Sequence, residues 1–337
     1  MTSAVIERPA VDAATFAREI AGGYVPVVLR GQVNSWAAVR AGRGGDRAMA
    51  TYLAAFEGGQ TLDVMIGAPE IAGRFFYNDD LTGFNFQRQK VALRQLLGQL
   101  VRYSEDGAAD AHALYANAAT APEHLPGWDA ENHLGLPTGD APARLWIGNA
   151  TRVATHYDES SNIACVVHGR RRFTLFPPDQ IANLYVGPLD HTMAGPPSSM
   201  VDPEKPDLAR YPRFAAALAH AQVAELGPGD AIFMPAIWWH HVAALDPLNV
   251  LVNYWWGDAQ AASPFGALVH ALMAVRDLPP AQRHAWRGWF DHYVFADGAD
   301  EVGDHLPVAA RGILAAASPA RTERLRDFLV RLLGGKR

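Results

Sequence analysis

The spacing of apolar residues changes character twice along this chain and divides it into three regions. Residues 11 to 60 mix helical and strand-like patterns. Asp12 stands as an N-cap before AATFAREIA, and YVPVVLRG is a β-branched run closed by Gly31. From about 90 to 104, VALRQLLGQLVRY places Val91, Leu93, Leu96, Leu97 and Leu100 mainly on one helical face, which predicts a helix packed against a sheet. Between about 113 and 256 the pattern shortens to runs such as ALYAN, RLWIG, NIACVV, RRFTLF and NVLVNYWW, separated by turn residues. That is the reading of an all-β sandwich or barrel. His168-Gly169 separates two apolar runs as a tight hairpin would, and Gly227-Pro228-Gly229-Asp230 enters the next strand through a turn.

After residue 262 the helical period returns, with Ser263-Pro264 and later Ser318-Pro319 as cap and first-turn pairs. The last segment aligns Leu325, Phe328, Leu329 and Leu332 in one stripe, opposite Arg321, Arg324 and Arg331. Such a stripe needs a partner surface, either the chain's own core or a second copy. The expected organisation is mainly β: an α/β flank packing on the barrel over residues 1–112, the barrel itself over 113–260, and a helical extension over 261–337.

Composition narrows the function classes. With 337 residues and 49% apolar content, one main domain with flanking elements is expected. A formal charge of -6 provides no overall basic field, so nucleic acid is not an expected partner. The single cysteine, Cys165, excludes an internal disulfide framework and any multi-cysteine metal site, and its apolar surroundings predict a buried structural thiol. The charged N-terminal stretch does not read as a signal peptide, and no apolar run approaches the roughly 20 residues that span a bilayer. A soluble cytoplasmic protein is the expectation.

Candidate chemistry starts at His156-Tyr157-Asp158, because on a strand residues i and i+2 face one side and send an imidazole and a carboxylate into the same interior. A third ligand is offered by PAIWWHH, on a strand that the glycine turn has just started. Two histidines and one carboxylate on one face leave coordination positions open, as in non-haem Fe(II) oxygenases, whereas zinc sites more often carry a third nitrogen or sulfur. Arg171 shares strand parity with Phe173 and Leu175, so its guanidinium points into an apolar interior while Arg170 and Arg172 point out. A buried guanidinium requires an anion: the carboxylate of a bound dicarboxylate, or an Asp or Glu of the chain.

The stretches THYDESSN, GRRRFTLFPPDQ, MVDPEKPDLARYPRF, LGPGDAIFMPAIWWHHV and NVLVNYWW resemble, in order and spacing, the JmjC-type, cupin-like Fe(II)- and 2-oxoglutarate-dependent hydroxylases. Within that family the likeness is to the asparaginyl hydroxylase of hypoxia-inducible factor, and it covers most of residues 20 to 260. The resemblance implies a double-stranded β-helix, or jelly roll, with His156, Asp158 and His240 as the Fe(II) ligands and His241 on the outward face. It also implies Tyr115, Asn162 and Asn253 as polar contacts to 2-oxoglutarate, Trp255 in the pocket wall, and O2 as the second cosubstrate.

Two positions depart from the family pattern. Arg171 stands where these hydroxylases place a lysine, and Val153 where a serine or threonine is common, with Thr151 or Thr155 as candidates to compensate. The resemblance further implies hydroxylation of a protein side chain or a small molecule, and a homodimer through the C-terminal helices. The Pro- and Gly-rich insertion from about 184 to 213 reads as a substrate-facing loop or as a plain connection. The alternatives to an oxygenase are a non-catalytic cupin-like module that binds metal or ligand, and a zinc-dependent hydrolase or isomerase.

Overall fold

Strand alternation sorts the β-rich region into two facing sheets. The computed structural model describes residues 2–107, 110–257 and 263–334. In chain order the strands are β1 (Ser3–Ala4), β2 (Ile6–Pro9), β3 (Val27–Arg30), β4 (Thr61–Gly67), β5 (Arg74–Phe75), β6 (Phe86–Ala92), β7 (Ala113–Thr120) and β8 (Arg144–Gly148). They continue with β9 (Arg152–His156), β10 (Ser161–His168), β11 (Arg171–Phe176), β12 (Gln222–Leu226), β13 (Ala231–Met234), β14 (Trp239–Ala244) and β15 (Asn249–Trp256). One sheet has six strands in the order β1-β12-β11-β14-β9-β5, and the other has nine in the order β2-β3-β13-β10-β15-β8-β7-β4-β6. The N-terminal strands therefore extend both sheets of a jelly roll.

Why the runs read as nearly continuous apolar stretches is now plain, since the nine-stranded sheet is covered on both faces. Its inner face sends Val28, Ala164, Val166, Ile232 and Leu251 against Phe173, Leu175, Leu226 and Val242 of the six-stranded sheet. Its outer face sends Leu145, Ile163, Cys165, Phe233 and Val252 against Phe16, Trp36, Met49, Leu53 and Leu96 of the flanking segments. The outer face of the six-stranded sheet is covered in turn by Leu184, Val201 and Phe214, which pack on Phe176 and Trp239.

Two expectations need correction. The helix runs Leu93–Asp106, so Val91 lies on β6, where it pairs with Leu62. Pairing with β4 extends to Ala92 and overrides the helical period of that stretch. His168-Gly169 does not close a hairpin, because β10 pairs with β13 and β15 while β11 pairs with β12 and β14. The turn carries the chain from one sheet to the other. Gly169 is needed for a different reason: its φ is +72°, and a Cβ there would sit 2.4 Å from Asn249 Oδ1. The Gly227–Asp230 turn also crosses between sheets, with Asp230 accepting the Gly31 N–H at 2.9 Å and pairing with Arg30 at 2.7 Å.

The chain divides into two compact units, Met1–Gly257 and Asp258–Arg337. The boundary expected at 260/261 lies outside the described residues. In the second unit, the helix Pro264–Ala274 is capped by the Ser263 hydroxyl, which accepts the Gly266 N–H at 3.2 Å. The helix Pro319–Gly334 starts with Ser318 Oγ accepting the Arg321 N–H at 3.2 Å. Neither these helices nor Pro280–Phe290 has a buried residue, and Phe328, Leu329 and Leu332 are exposed. No helix among the described residues is long and apolar enough to cross a membrane.

Cys165 lies on β10 with no exposed surface, and burial pushes its thiol pKa well up. In the native protein it should not react with a disulfide thiol reagent at pH 8. One thiol should titrate after denaturation, and rapid native labelling would contradict the burial.

Candidate metal centre

β14 runs antiparallel to β9, and in their register His240 stands directly opposite His156. Both side chains point between the sheets, with ring centroids 4.4 Å apart. Asp158 lies two residues beyond the end of β9, in an extended turn rather than on the strand, so strand parity described its direction but not its setting. Its carbonyl accepts the Ile237 N–H at 2.8 Å, which ties the turn to the approach of β14. Donor atoms of His156, Asp158 and His240 all lie within 4.8 Å of one another, and His240 Nε2 is 3.7 Å from Asp158 Oδ2.

The backbone sets the imidazole tautomers. His156 Nδ1 is 2.9 Å from the Ala154 carbonyl and His240 Nδ1 is 3.0 Å from the Trp238 carbonyl. A carbonyl only accepts, so each Nδ1 carries the proton and each Nε2 lone pair is free for a ligand bond. Burial, reinforced by His156, lowers the His240 pKa and keeps the ring neutral. Asp158 Oδ2 accepts from Asn162 Nδ2 at 3.2 Å and from Trp255 Nε1 at 3.0 Å.

A second group, Asp202, Glu204 and His241, lies on the outer side of the same sheet. Arg152 reaches Asp202 at 3.4 Å and Glu204 at 3.3 Å, and Arg74 reaches Asp202 at 3.6 Å. Those carboxylates are already matched by guanidinium charge. Among the described residues the inward triad has no such guanidinium paired with it, so its carboxylate is the one left available to a metal.

A cavity of about 230 Å³ opens on the triad. Tyr115, Asn162, Arg171, Asn253 and Trp255, the remaining residues singled out in the sequence, all line it. Arg171 is 2% exposed, and among the described residues no carboxylate lies within ion-pair distance of it, so the internal-pair reading is not realised. Its protein partners are the Tyr115 hydroxyl and, at 3.4 Å, the Trp146 carbonyl, while Nε has none. Burial lowers its pKa, the cost of holding a cation there without a counter-ion.

Residues 13–262 match the family model described as the cupin-like domain. The chain belongs to the cupin-like family. Lysine-specific demethylase JMJ31 of Arabidopsis thaliana is 40% identical over 113 residues, 33% of this chain and 20% of that protein. tRNA wybutosine-synthesizing protein 5 of Danio rerio is 36% identical over 146 residues, 38% of this chain and 42% of the relative. Lysine-specific demethylase 8 of Xenopus tropicalis is 26% identical over 241 residues, 68% of this chain and 48% of its own length. The chain thus spans under half the length of these relatives.

Within this cupin-like site, Val153 lines the cavity but Thr151 and Thr155 do not. The Thr155 hydroxyl is buried without a partner, one residue out of phase with His156, so neither threonine compensates. The insertion is more than a connection: Met193, Ala194, Pro196 and Ser198 line the cavity, and Ser198 bridges to His156. Sequence reasoning passed over Trp146. Its signal was parity, since in RLWIG it faces opposite to the core residues Leu145 and Ile147.

Replacing His156, Asp158 or His240 by alanine should each weaken divalent-metal binding by about 100-fold or more, beyond the ~10–100-fold of an outer-shell change. His241→Gln should leave affinity within a few-fold. Competition titration with a chromophoric chelator reads both, and a loss in His241→Gln with the three inner variants unchanged would move the site to the outer cluster.

Proposed function

We propose that this cupin-like protein is an Fe(II)- and 2-oxoglutarate-dependent dioxygenase that hydroxylates a protein side chain or a small molecule. The observation that carries the reading is the pair of unmet charges at the two ends of one cavity. His156, Asp158 and His240 form a two-histidine, one-carboxylate set at one end, and Arg171 is buried without a carboxylate at the other. A dicarboxylate reaching from the triad to Arg171 satisfies both, and the planar guanidinium suits a carboxylate held through two bonds.

Fe(II), when bound, supplies O2 activation coupled to oxidative decarboxylation of 2-oxoglutarate. The chain's own residues do the rest. His156 and His240 present Nε2 lone pairs, Arg171 and the Tyr115 hydroxyl hold the distal carboxylate, and Asn162 and Trp255 orient Asp158. Met65, Phe75, Val153 and Leu251 line the cavity with apolar surface, which strengthens charge interactions inside it. The similarity to the asparaginyl hydroxylase of hypoxia-inducible factor favours hydroxylation. The relatives named above carry two lysine-specific demethylases and a tRNA wybutosine-synthesizing protein, so membership of the family does not select the substrate.

The exposed stripe of Pro319–Gly334, together with exposed Trp286, Trp289 and Phe295, supports assembly as a homodimer through the C-terminal helices.

Iron-loaded protein should release succinate from 2-oxoglutarate, and His156→Ala should not. Arg171→Met should raise the 2-oxoglutarate Kd by about 30-fold or more, as loss of a buried charge partner costs about 2–5 kcal/mol, with Arg171→Lys intermediate. Failure of the loaded wild type to bind 2-oxoglutarate would refute the reading. For the dimer, Phe328→Asp with Leu329→Asp should halve the mass measured by light scattering; an unchanged mass would remove this interface.

A further inference from the structure

Trp146 touches Arg171 at one end of the cavity and is linked through two amides to the triad at the other. Its carbonyl faces Arg171 Nη2 at 3.4 Å, and its indole N–H donates to Asn253 Oδ1 at 2.7 Å. From there a single file of hydrogen bonds leads to the triad: Asn253 Nδ2 donates to Asn162 Oδ1 at 3.1 Å, and Asn162 Nδ2 donates to Asp158 Oδ2 at 3.2 Å. We propose that Trp146 is the positioning residue of the metal centre, acting through the orientations of Asn253 and Asn162 to aim the Asp158 carboxylate. This rests on the oxygenase reading only in naming the metal that Asp158 serves.

Donor and acceptor inventory fixes the direction of this file. An amide can present either its oxygen or its NH2 group to a neighbour, so a chain of two amides has no intrinsic direction. Direction comes from the ends. The indole is a donor only and obliges Asn253 to turn its oxygen toward Trp146, which leaves its NH2 for Asn162. Asn162 must then accept from Asn253 and donate onward, and an ionised carboxylate, an acceptor only, is what it meets. Both ends agree, and no atom in the file is mispaired.

The indole itself has little freedom. Tyr115 stacks on it at 5.8 Å and Trp255 meets it edge-on at 5.7 Å. Trp255 is also the second donor to Asp158 Oδ2. One aromatic pair therefore governs both hydrogen bonds to that oxygen, directly through Trp255 and by relay through Trp146. Phenylalanine at position 146 would keep a ring between the two aromatics but remove the donor, so the amides would lose their imposed direction.

The test uses the full chain, first free of metal. Side-chain NH2 signals of Asn162 and Asn253, assigned by single substitution in 15N-labelled protein, should be resolved and slow to exchange in the wild type. In Trp146→Phe both pairs should shift and exchange at least ten times faster. Asn253→Ala, which breaks the next link with a smaller change in volume, should do the same to Asn162 alone and serves if Trp146→Phe does not fold.

Co(II) titration then reads the consequence. Trp146→Phe should weaken binding by about 10-fold or more, in the range of outer-shell changes, with a shifted d–d spectrum. The double variant Trp146→Phe/Asn162→Ala should bind no more weakly than Asn162→Ala. Unchanged amide exchange in Trp146→Phe, or losses that multiply in the double variant, would overturn the relay. A wild type that binds no Co(II) would instead sink the oxygenase reading and leave the amide measurement to decide the relay.

Discussion

Antiparallel pairing of β14 with β9 is the contact on which the site depends. It sets His240 opposite His156 and does so beside an irregularity, since the next pair in register is Val242 with Val153. Between them one residue, His241, faces two, Ala154 and Thr155. A bulge of this kind sharpens the local twist and re-aims the side chains next to it. Without the extra residue on β9, inward phase could not be held at both His156 and Val153, which both line the cavity. The bulge lets both positions face the interior and sends Thr155 away from it.

The approach to β14 carries a further constraint. Ile237 has a φ of 68°, a left-handed conformation that a β-branched residue rarely adopts and that costs about 1–2 kcal/mol. What it gains locally is the N–H bond to the Asp158 carbonyl. Trp238 at the next position is fixed by its indole donating to the Tyr24 carbonyl at 3.1 Å, and Tyr24, also left-handed, returns a hydroxyl to the Ala236 carbonyl at 2.9 Å. Strain at two residues is thus spent on one turn that joins the carboxylate ligand to the second histidine, with the N-terminal flank as its brace. Loops under such constraint cluster at functional sites.

Much of this was legible in the chain itself, and the reasons differ by residue. The inward direction of His156 and Arg171 follows from a period of two, which local sequence displays, whereas the choice of His240 over His241 came from the family resemblance. The fold class followed from short runs and glycine turns. Sheet membership did not, because His168-Gly169 reads alike whether the next strand pairs with its predecessor or crosses to the facing sheet; only the long-range partners of β10 and β11 decide. Val91 failed for the same reason, as its strand partner Leu62 lies far away in the sequence. The polarity of the Trp146–Asn253–Asn162 file was also invisible, since it arises from three separate strands meeting at one point.

Charge sets the two similar clusters apart. Around His241 three arginines, Arg74, Arg152 and Arg172, meet two carboxylates, and a divalent ion would have to displace a guanidinium to gain a ligand. Inside the barrel the donors to the carboxylate among the described residues are the neutral Asn162 and Trp255, which direct it without neutralising it. Arg171, the one cation in that cavity among the described residues, faces Tyr115 and Trp146 rather than the triad's carboxylate. Had it paired with Asp158, both unmet charges would vanish and the cavity would have no use for either a metal or a dicarboxylate. Keeping the two apart, with a file of neutral amides along the wall between them, leaves each charge unpaired by the other, the condition on which the proposed binding of a metal and a dicarboxylate rests.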